Sequence, residues 1–136
     1  MNDENGARRV ARKKPYIRDI IEFTNTRKVT IHGIGKPKTV ELPEEVVEWL
    51  KNSKVAKRVL EELVTHYKYR IRLSHPGSLR SLLLLLYSRA HRIPPYKTAK
   101  LYGIAPEQLY RMERGMKKDG LYELVMNLLA LESQNP

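Results

Sequence analysis

Residues 97–114 read KTAKLYGIAPEQLYRMER, and this stretch decides the fold that we expect for the C-terminal half of the chain. Ala99 is small where one helix must approach the next closely. Gly103 comes four residues later, where a turn requires a left-handed backbone at no steric cost. Leu109 and Met112 recur three residues apart, which is the spacing of one face of a second helix. The segment therefore predicts two short helices joined by a glycine turn.

Together with Ile104, which follows the glycine as an apolar residue under the turn, these residues resemble the helix-turn-helix of the phage repressor and Cro proteins over residues 95–114. In that group the second helix lies in the major groove of DNA and its N-terminal residues contact base edges, while the first helix crosses the backbone. The resemblance implies a recognition helix at about residues 106–118. Pro106 suits the first position of that helix, because its missing N–H would be unpaired there in any case. Ala105 departs from the usual pattern, because it offers no side-chain cap.

The resemblance and the positive charge around it imply roles for individual side chains. Residues on one side of the recognition helix would read bases, and neighbouring polar or basic residues would hold phosphates and set the register. The expected base readers are Gln108, Tyr110, Arg111 and Arg114. The expected phosphate contacts are Lys97, Thr98, Lys100, Lys117, Lys118, Arg89 and Arg92. The alternative is a pair of short helices on a glycine turn with no role in nucleic-acid binding.

The charge pattern favours the DNA-binding interpretation. The 136 residues carry a formal net charge of +11, and between Leu63 and Pro106 there are eight Lys or Arg and no Asp or Glu. Ordinary solvated surfaces mix the two signs. A chain this basic attracts polyanions through counterion release. We therefore expect a double-stranded DNA-binding protein, sequence-specific or architectural, that acts as a transcriptional or replicon regulator.

Several classes of protein are not expected from this composition. There is no cysteine for disulfides or thiolate metal sites, and the four histidines lack carboxylates at ligand spacing, so we expect no metal and no cofactor. We find no glycine-rich phosphate loop and no clustered carboxylates in the basic half, so we predict that the protein is not an enzyme. The longest apolar run, Leu82 to Tyr87, is too short to span a bilayer, and no apolar stretch follows the basic N-terminus. We expect a cytoplasmic protein, associated with the nucleoid if it binds DNA, and no membrane partner.

The N-terminal residues divide into a tail and a β-prone segment. Residues 1–15 are expected to form a flexible arm that either follows phosphates or enters a minor groove, or only makes the terminus soluble. The basic residues of this arm are Arg8, Arg9, Arg12, Lys13 and Lys14. Residues 16–23 are apolar in a pattern that permits either a short helix or a strand. Residues 28–34 and 39–42 flank a Gly/Pro turn and predict a β-hairpin, whose open edges could pair with a second copy of the chain.

Two helices should follow the hairpin. Pro43 opens the first, with Glu44 and Glu45 in its first turn, and Ser53 is a suitable N-cap for the second. Residues 38–67 show a weaker resemblance to the ribbon-helix-helix proteins, in which two chains pair their strands and insert the ribbon into the major groove. The alternative is a hairpin and a helix pair that pack on the C-terminal bundle.

Residues 67–73 alternate aromatic or apolar side chains with basic ones, a pattern that suits stacking on unpaired bases. The first alternative function is therefore an RNA-binding or ribonucleoprotein-associated protein that uses residues 67–92. The second is a protein-interaction adaptor. The tyrosines of residues 67–73 could instead be core residues, with the basic side chains forming a solvated surface.

Residues 74–78 read SHPGS, which predicts a boundary between residues 16–75 and 76–133. The helix at residues 79–91 is apolar nearly all round and should be buried centrally. The last amphipathic helix, residues 121–131, would close the bundle or form a homodimer face. The expected fold class is mainly α with an N-terminal β-hairpin (α+β), and a C-terminal helical bundle that contains the helix-turn-helix.

Overall fold

The structure, a computed structural model, describes residues 20–33, 36–65 and 76–134. It is mostly helical, with a small three-stranded antiparallel sheet near the N-terminus. The elements in chain order are β1 (Ile21–Asn25), β2 (Lys28–Ile31), β3 (Lys38–Glu41), α1 (Glu44–Asn52), α2 (Lys54–Thr65), α3 (Pro76–Ala90), α4 (Pro95–Leu101), α5 (Pro106–Asp119) and α6 (Leu121–Gln134). The expected arm of residues 1–15 and the alternating residues 67–73 lie outside the described residues.

The sheet has the strand order β1-β2-β3. The expected hairpin is confirmed, because β2 and β3 pair antiparallel with Val29 opposite Val40. Both of these valines and Ile31 are buried, so one face of the sheet packs on the core. Residues 16–23 permit either a helix or a strand, and the structure decides this choice in part. Ile21 begins β1 and pairs with Ile31. The Asn25 side-chain oxygen accepts a hydrogen bond from the Arg27 N–H at 2.8 Å, which stabilises the β1–β2 turn.

The helices α1 and α2 begin where the sequence predicts. Pro43 precedes α1, and the first turn of α1 holds two glutamates, where the helix dipole favours them. Ser53 caps α2, because its hydroxyl accepts a hydrogen bond from the Ala56 N–H at 3.3 Å. A second acceptor comes from α6: the Glu132 carboxylate accepts a hydrogen bond from the Lys54 N–H at 3.1 Å. The last helix is therefore tied to the start of α2.

Helix α3 is central, as its apolar sequence predicts. Leu79 and all five residues from Leu82 to Leu86 are buried, with at most 1% of their surface exposed. The helix contacts β3, α1, α4, α5 and α6. Residues on both sides of the expected boundary after residue 75 share one hydrophobic core. Arg80 also bridges the two parts, because its Nε donates a hydrogen bond to the Glu41 carbonyl at 3.1 Å.

Strand β3 has one neighbour in the sheet, β2 of the same chain. The pairing between two chains that the ribbon-helix-helix resemblance implies would have to use the other edge of β3, and it stays a prediction. No helix within the described ranges is long and apolar enough to cross a membrane.

Candidate nucleic-acid interface

The turn between α4 and α5 is closed by backbone hydrogen bonds. The Tyr102 N–H donates to the Thr98 carbonyl at 3.1 Å, and the Ile104 N–H donates to the Ala99 carbonyl at 3.0 Å. The second bond passes over Gly103, whose φ of +69° lies in the left-handed region. A Cβ on Gly103 would meet no atom within 4 Å, so this position needs glycine for its backbone conformation and not for space.

The residues whose spacing predicts two helices pack α4 and α5 against the core. Ala99 and Leu109 are completely buried. Ile104 and Met112 are partly buried and pack against the same core. Both helices also contact α3, and they contact each other. One side of α5 is therefore held by the protein, which leaves the other side to the solvent.

That solvent side of α5 holds three of the four expected base readers. Gln108, Arg111 and Arg114 are exposed, whereas Tyr110 is half-buried. Residues 107, 111, 114 and 118 follow one another at helical spacing and form one stripe along α5. The stripe begins with an acid, Glu107, and continues with three basic residues.

Glu107 and Arg114 form an ion pair at the start of this stripe. The Arg114 guanidinium donates to Glu107 Oε2 at 2.6 Å, and the two side chains are 59% and 57% exposed. This hydrogen bond, more than the charges of Arg114 and Arg111, lowers the pKa of the Glu107 carboxyl. One of the expected base readers is thus already bound to an anion in the free protein.

Four of the expected phosphate contacts are lysines that extend into solvent. Lys97 and Lys100 are exposed on α4, and Lys117 and Lys118 are exposed in the last turn of α5. Lys117 Nζ lies 4.9 Å from the centre of the Tyr122 ring, within the range of a cation–π contact. Lys118 is the last residue of the stripe, so positive charge lies at its C-terminal end.

Arg92 is exposed in the short connection between α3 and α4, in an uncommon conformation. Its φ is +57°, and it stands where a helix C-terminus usually has glycine. The Ile93 N–H donates to the Ser88 carbonyl at 2.9 Å and the Arg92 N–H to the Arg89 carbonyl at 3.2 Å, the two bonds of a Schellman cap. The surrounding cap therefore holds an arginine in a backbone region that costs a non-glycine residue free energy.

The structure corrects the expected role of Thr98. This residue is completely buried, and its hydroxyl donates a hydrogen bond to Ser88 Oγ at 3.0 Å. Ser88 Oγ in turn donates to the Ile93 carbonyl. The hydroxyl of Thr98 thus serves the junction between α3 and α4, so the prediction that it contacts a phosphate is wrong.

Arg89, a second expected phosphate contact, is bound by a carboxylate of the fold. Its Nε donates to Glu113 Oε2 at 2.8 Å, and a terminal nitrogen of the same guanidinium contacts that oxygen too. Only 28% of the Arg89 side chain and 7% of the Glu113 side chain are exposed. Arg89 is therefore the counter-charge of a buried carboxylate and joins α3 to α5. A phosphate would have to compete with that carboxylate.

Glu113 is not among the residues predicted for the site, although the sequence carries a signal for it. It lies four residues after Leu109 and three before Met116, so it is an acid on the buried stripe of α5. A buried acid requires a partner, but the sequence does not say which one. Tyr122 is also hydrogen-bonded to Glu113, and burial together with this bond raises the pKa of the Tyr122 hydroxyl.

An aromatic cluster that the sequence did not predict joins the turn to α1. Tyr87 lies at its centre, with ring centroids 4.1 Å from His91, 5.7 Å from Trp49 and 6.4 Å from Tyr102. The Tyr102 hydroxyl donates to Glu45 at 3.1 Å. Burial, followed by hydrogen bonds with Tyr87 and Glu45, raises the pKa of Tyr102. The residue before the glycine turn is therefore anchored on a different part of the fold.

The chain matches no family model, no curated protein and no solved structure. The interpretation of this surface therefore depends on its own geometry. Within the described residues no group of three or more His, Asp or Glu side chains could hold a metal ion.

Proposed function

We propose that this protein binds duplex DNA with the exposed side of α5 in the major groove, and that it regulates transcription or replication of a replicon. The observation that carries the proposal is the division of α5 into two sides. Leu109, Glu113 and Met116 are buried, while Gln108 and Arg111 are exposed on a face that continues with the basic residues Arg114 and Lys118. A helix presented in this way has the form of the second helix of a helix-turn-helix.

The support beneath α5 favours the same function. The turn is closed by backbone bonds to Thr98 and Ala99, the Arg89–Glu113 pair ties α5 to α3, and Tyr102 anchors the turn to α1. Base recognition requires donors and acceptors held in position before binding. An α5 attached at three points meets that requirement.

The exposed side chains have the chemistry that the two kinds of contact require. The Gln108 amide can donate to and accept from adenine at N7 and N6, and the Arg111 guanidinium can donate to guanine O6 and N7. Lysines such as Lys97 and Lys117 carry point charges that suit phosphates and no particular base. The proposal therefore separates a sequence-dependent group on α5 from a sequence-independent group around it.

The first experiment is fluorescence-anisotropy binding of random duplex DNA, single-stranded DNA and structured RNA across a salt series. The wild type is compared with an Arg111→Ala/Arg114→Ala variant. The control is Lys51→Ala/Lys54→Ala, which also removes two exposed positive charges but does so on α1 and α2. The proposal expects a preference for duplex DNA that is lost in the α5 variant and kept in the control.

Two results would contradict the proposal. Equal weakening in both double variants would mean that net charge alone attracts the DNA. A preference for RNA or single strands that the α5 variant leaves intact would move the site to the alternating residues 67–73.

A further inference from the structure

Glu107 is the only exposed acidic residue of α4 and α5, two helices that are described in full. It lies in the first turn of α5, on the stripe that it shares with Arg111 and Arg114. Its carboxylate is bonded to Arg114 and is also influenced by the charge of Arg111. A negative charge is thus placed on the face that the proposed function turns toward DNA, where it opposes the phosphates.

The pair with Arg114 reaches along the helix. The two residues are seven positions apart, which corresponds to about 10.5 Å of axial rise. Helical side chains incline toward the N-terminus, so the long side chain of Arg114 can cover this distance by lying back over the stripe. In this position one terminal nitrogen of its guanidinium donates to a carboxylate of the same chain.

Folding does not depend on this pair. Both side chains are more than half exposed, and ion pairs of this kind contribute little to stability because water and salt screen them. An acid in a first turn also interacts favourably with the helix dipole without any arginine. The bond between Glu107 and Arg114 consequently has more effect on what Arg114 can bind than on the stability of α5.

We propose that Glu107 is an internal competitor for Arg114 that suppresses sequence-independent binding. In the free protein its carboxylate occupies a guanidinium nitrogen that a DNA phosphate would otherwise take. Sequence-independent affinity comes almost wholly from such phosphate contacts, so it suffers most from the competition. A correctly placed guanine can replace the carboxylate with two acceptors, O6 and N7. Glu107 therefore raises selectivity for a specific site at the cost of general affinity. This inference rests on the proposed function.

The test compares Glu107→Gln with Glu123→Gln on random duplex DNA across a salt series. Glu123 is a matched control, because it is also an exposed glutamate in the first turn of a helix, α6, and its replacement changes the net charge equally. Releasing Arg114 to one phosphate steepens the slope of log K against log salt by about 0.9, which is about a fivefold gain in affinity at 0.15 M relative to 1 M salt. The control variant should show no change of slope. Thermal melts of both variants verify that they are folded.

A double-variant cycle assigns the effect to Arg114. In the Arg114→Ala background, Glu107→Gln should lose more than half of its effect on affinity, since the competition acts through that guanidinium. Full retention of the effect in that background would overturn the inference.

Two further outcomes separate this inference from the proposed function. If the wild type prefers duplex DNA and the Arg111→Ala/Arg114→Ala variant loses that preference, but Glu107→Gln matches its control or weakens binding, only the inference fails. If the wild type binds no duplex at any salt concentration, the proposed function fails and the inference fails with it.

Discussion

Replacing Arg89 by methionine should destabilise the fold and leave the salt dependence of DNA binding unchanged. The variant removes the counter-charge of Glu113, whose side chain is only 7% exposed, and leaves that carboxylate with the Tyr122 hydroxyl. Removing one partner of a buried ion pair costs about 3–5 kcal/mol. Because 28% of the Arg89 side chain is exposed and water reaches the pair, we expect a smaller loss than this range, about 2–3 kcal/mol.

The assay is urea unfolding, followed in the same buffer by binding of random duplex DNA at several salt concentrations. A loss of 2–3 kcal/mol corresponds to a decrease in Tm of roughly 6–12 °C for a chain of this size. The Arg89→Met/Glu113→Met variant should recover most of the loss, to within about 1 kcal/mol of the wild type, because no unpaired charge remains buried.

The reasoning would be refuted by the opposite pair of results. If Arg89 mainly holds a phosphate, Arg89→Met reduces the slope of log K against log salt by about 0.9 and barely changes the free energy of unfolding. An Arg89→Met/Glu113→Met variant as unstable as Arg89→Met would also refute it. The loss of stability would then come from packing and not from the unpaired carboxylate.

Four other predictions concern neighbouring residues. Lys97→Ala should weaken binding of all duplexes alike and lower the salt slope by about 0.9. Thr98→Val should leave that slope unchanged and cost about 1–2 kcal/mol of stability, because Ser88 loses its donor; a changed slope for Thr98→Val in the same titrations would contradict this. Arg92→Gly should raise the free energy of unfolding by about 1 kcal/mol, since it relieves the left-handed backbone, while it lowers DNA affinity; a urea midpoint below that of the wild type would argue against it. The raised pKa of Tyr102 means that the folded state holds this proton more tightly, so stability should decrease as the pH rises above about 10. Tyr102→Phe should reduce this loss in alkaline melts, and an unchanged alkaline decrease would count against the assignment.

The sequence by itself determined where most of the described elements begin and end. Pro95 and Pro106 begin helices, Gly103 adopts the left-handed turn, and the β-branched runs on either side of residues 32–37 form the hairpin. These preferences depend on the backbone and on the nearest neighbours, so they can be read locally. Ile21 is the exception that shows the limit. The apolar spacing of residues 16–23 suits a helix and a strand equally, and pairing with Ile31 of β2 decided the choice for Ile21.

Only the tertiary structure decided what each polar side chain binds. Residue type marks Arg89 as a cation and Thr98 as a hydroxyl, and both were compatible with a phosphate. Arg89 is paired with Glu113, 24 positions away, and Tyr102 with Glu45, 57 positions away. A buried polar group must take whatever partner the packing brings to it, and that partner comes from another element of the fold. Arg111 is exposed, and its role as a base reader stays a prediction.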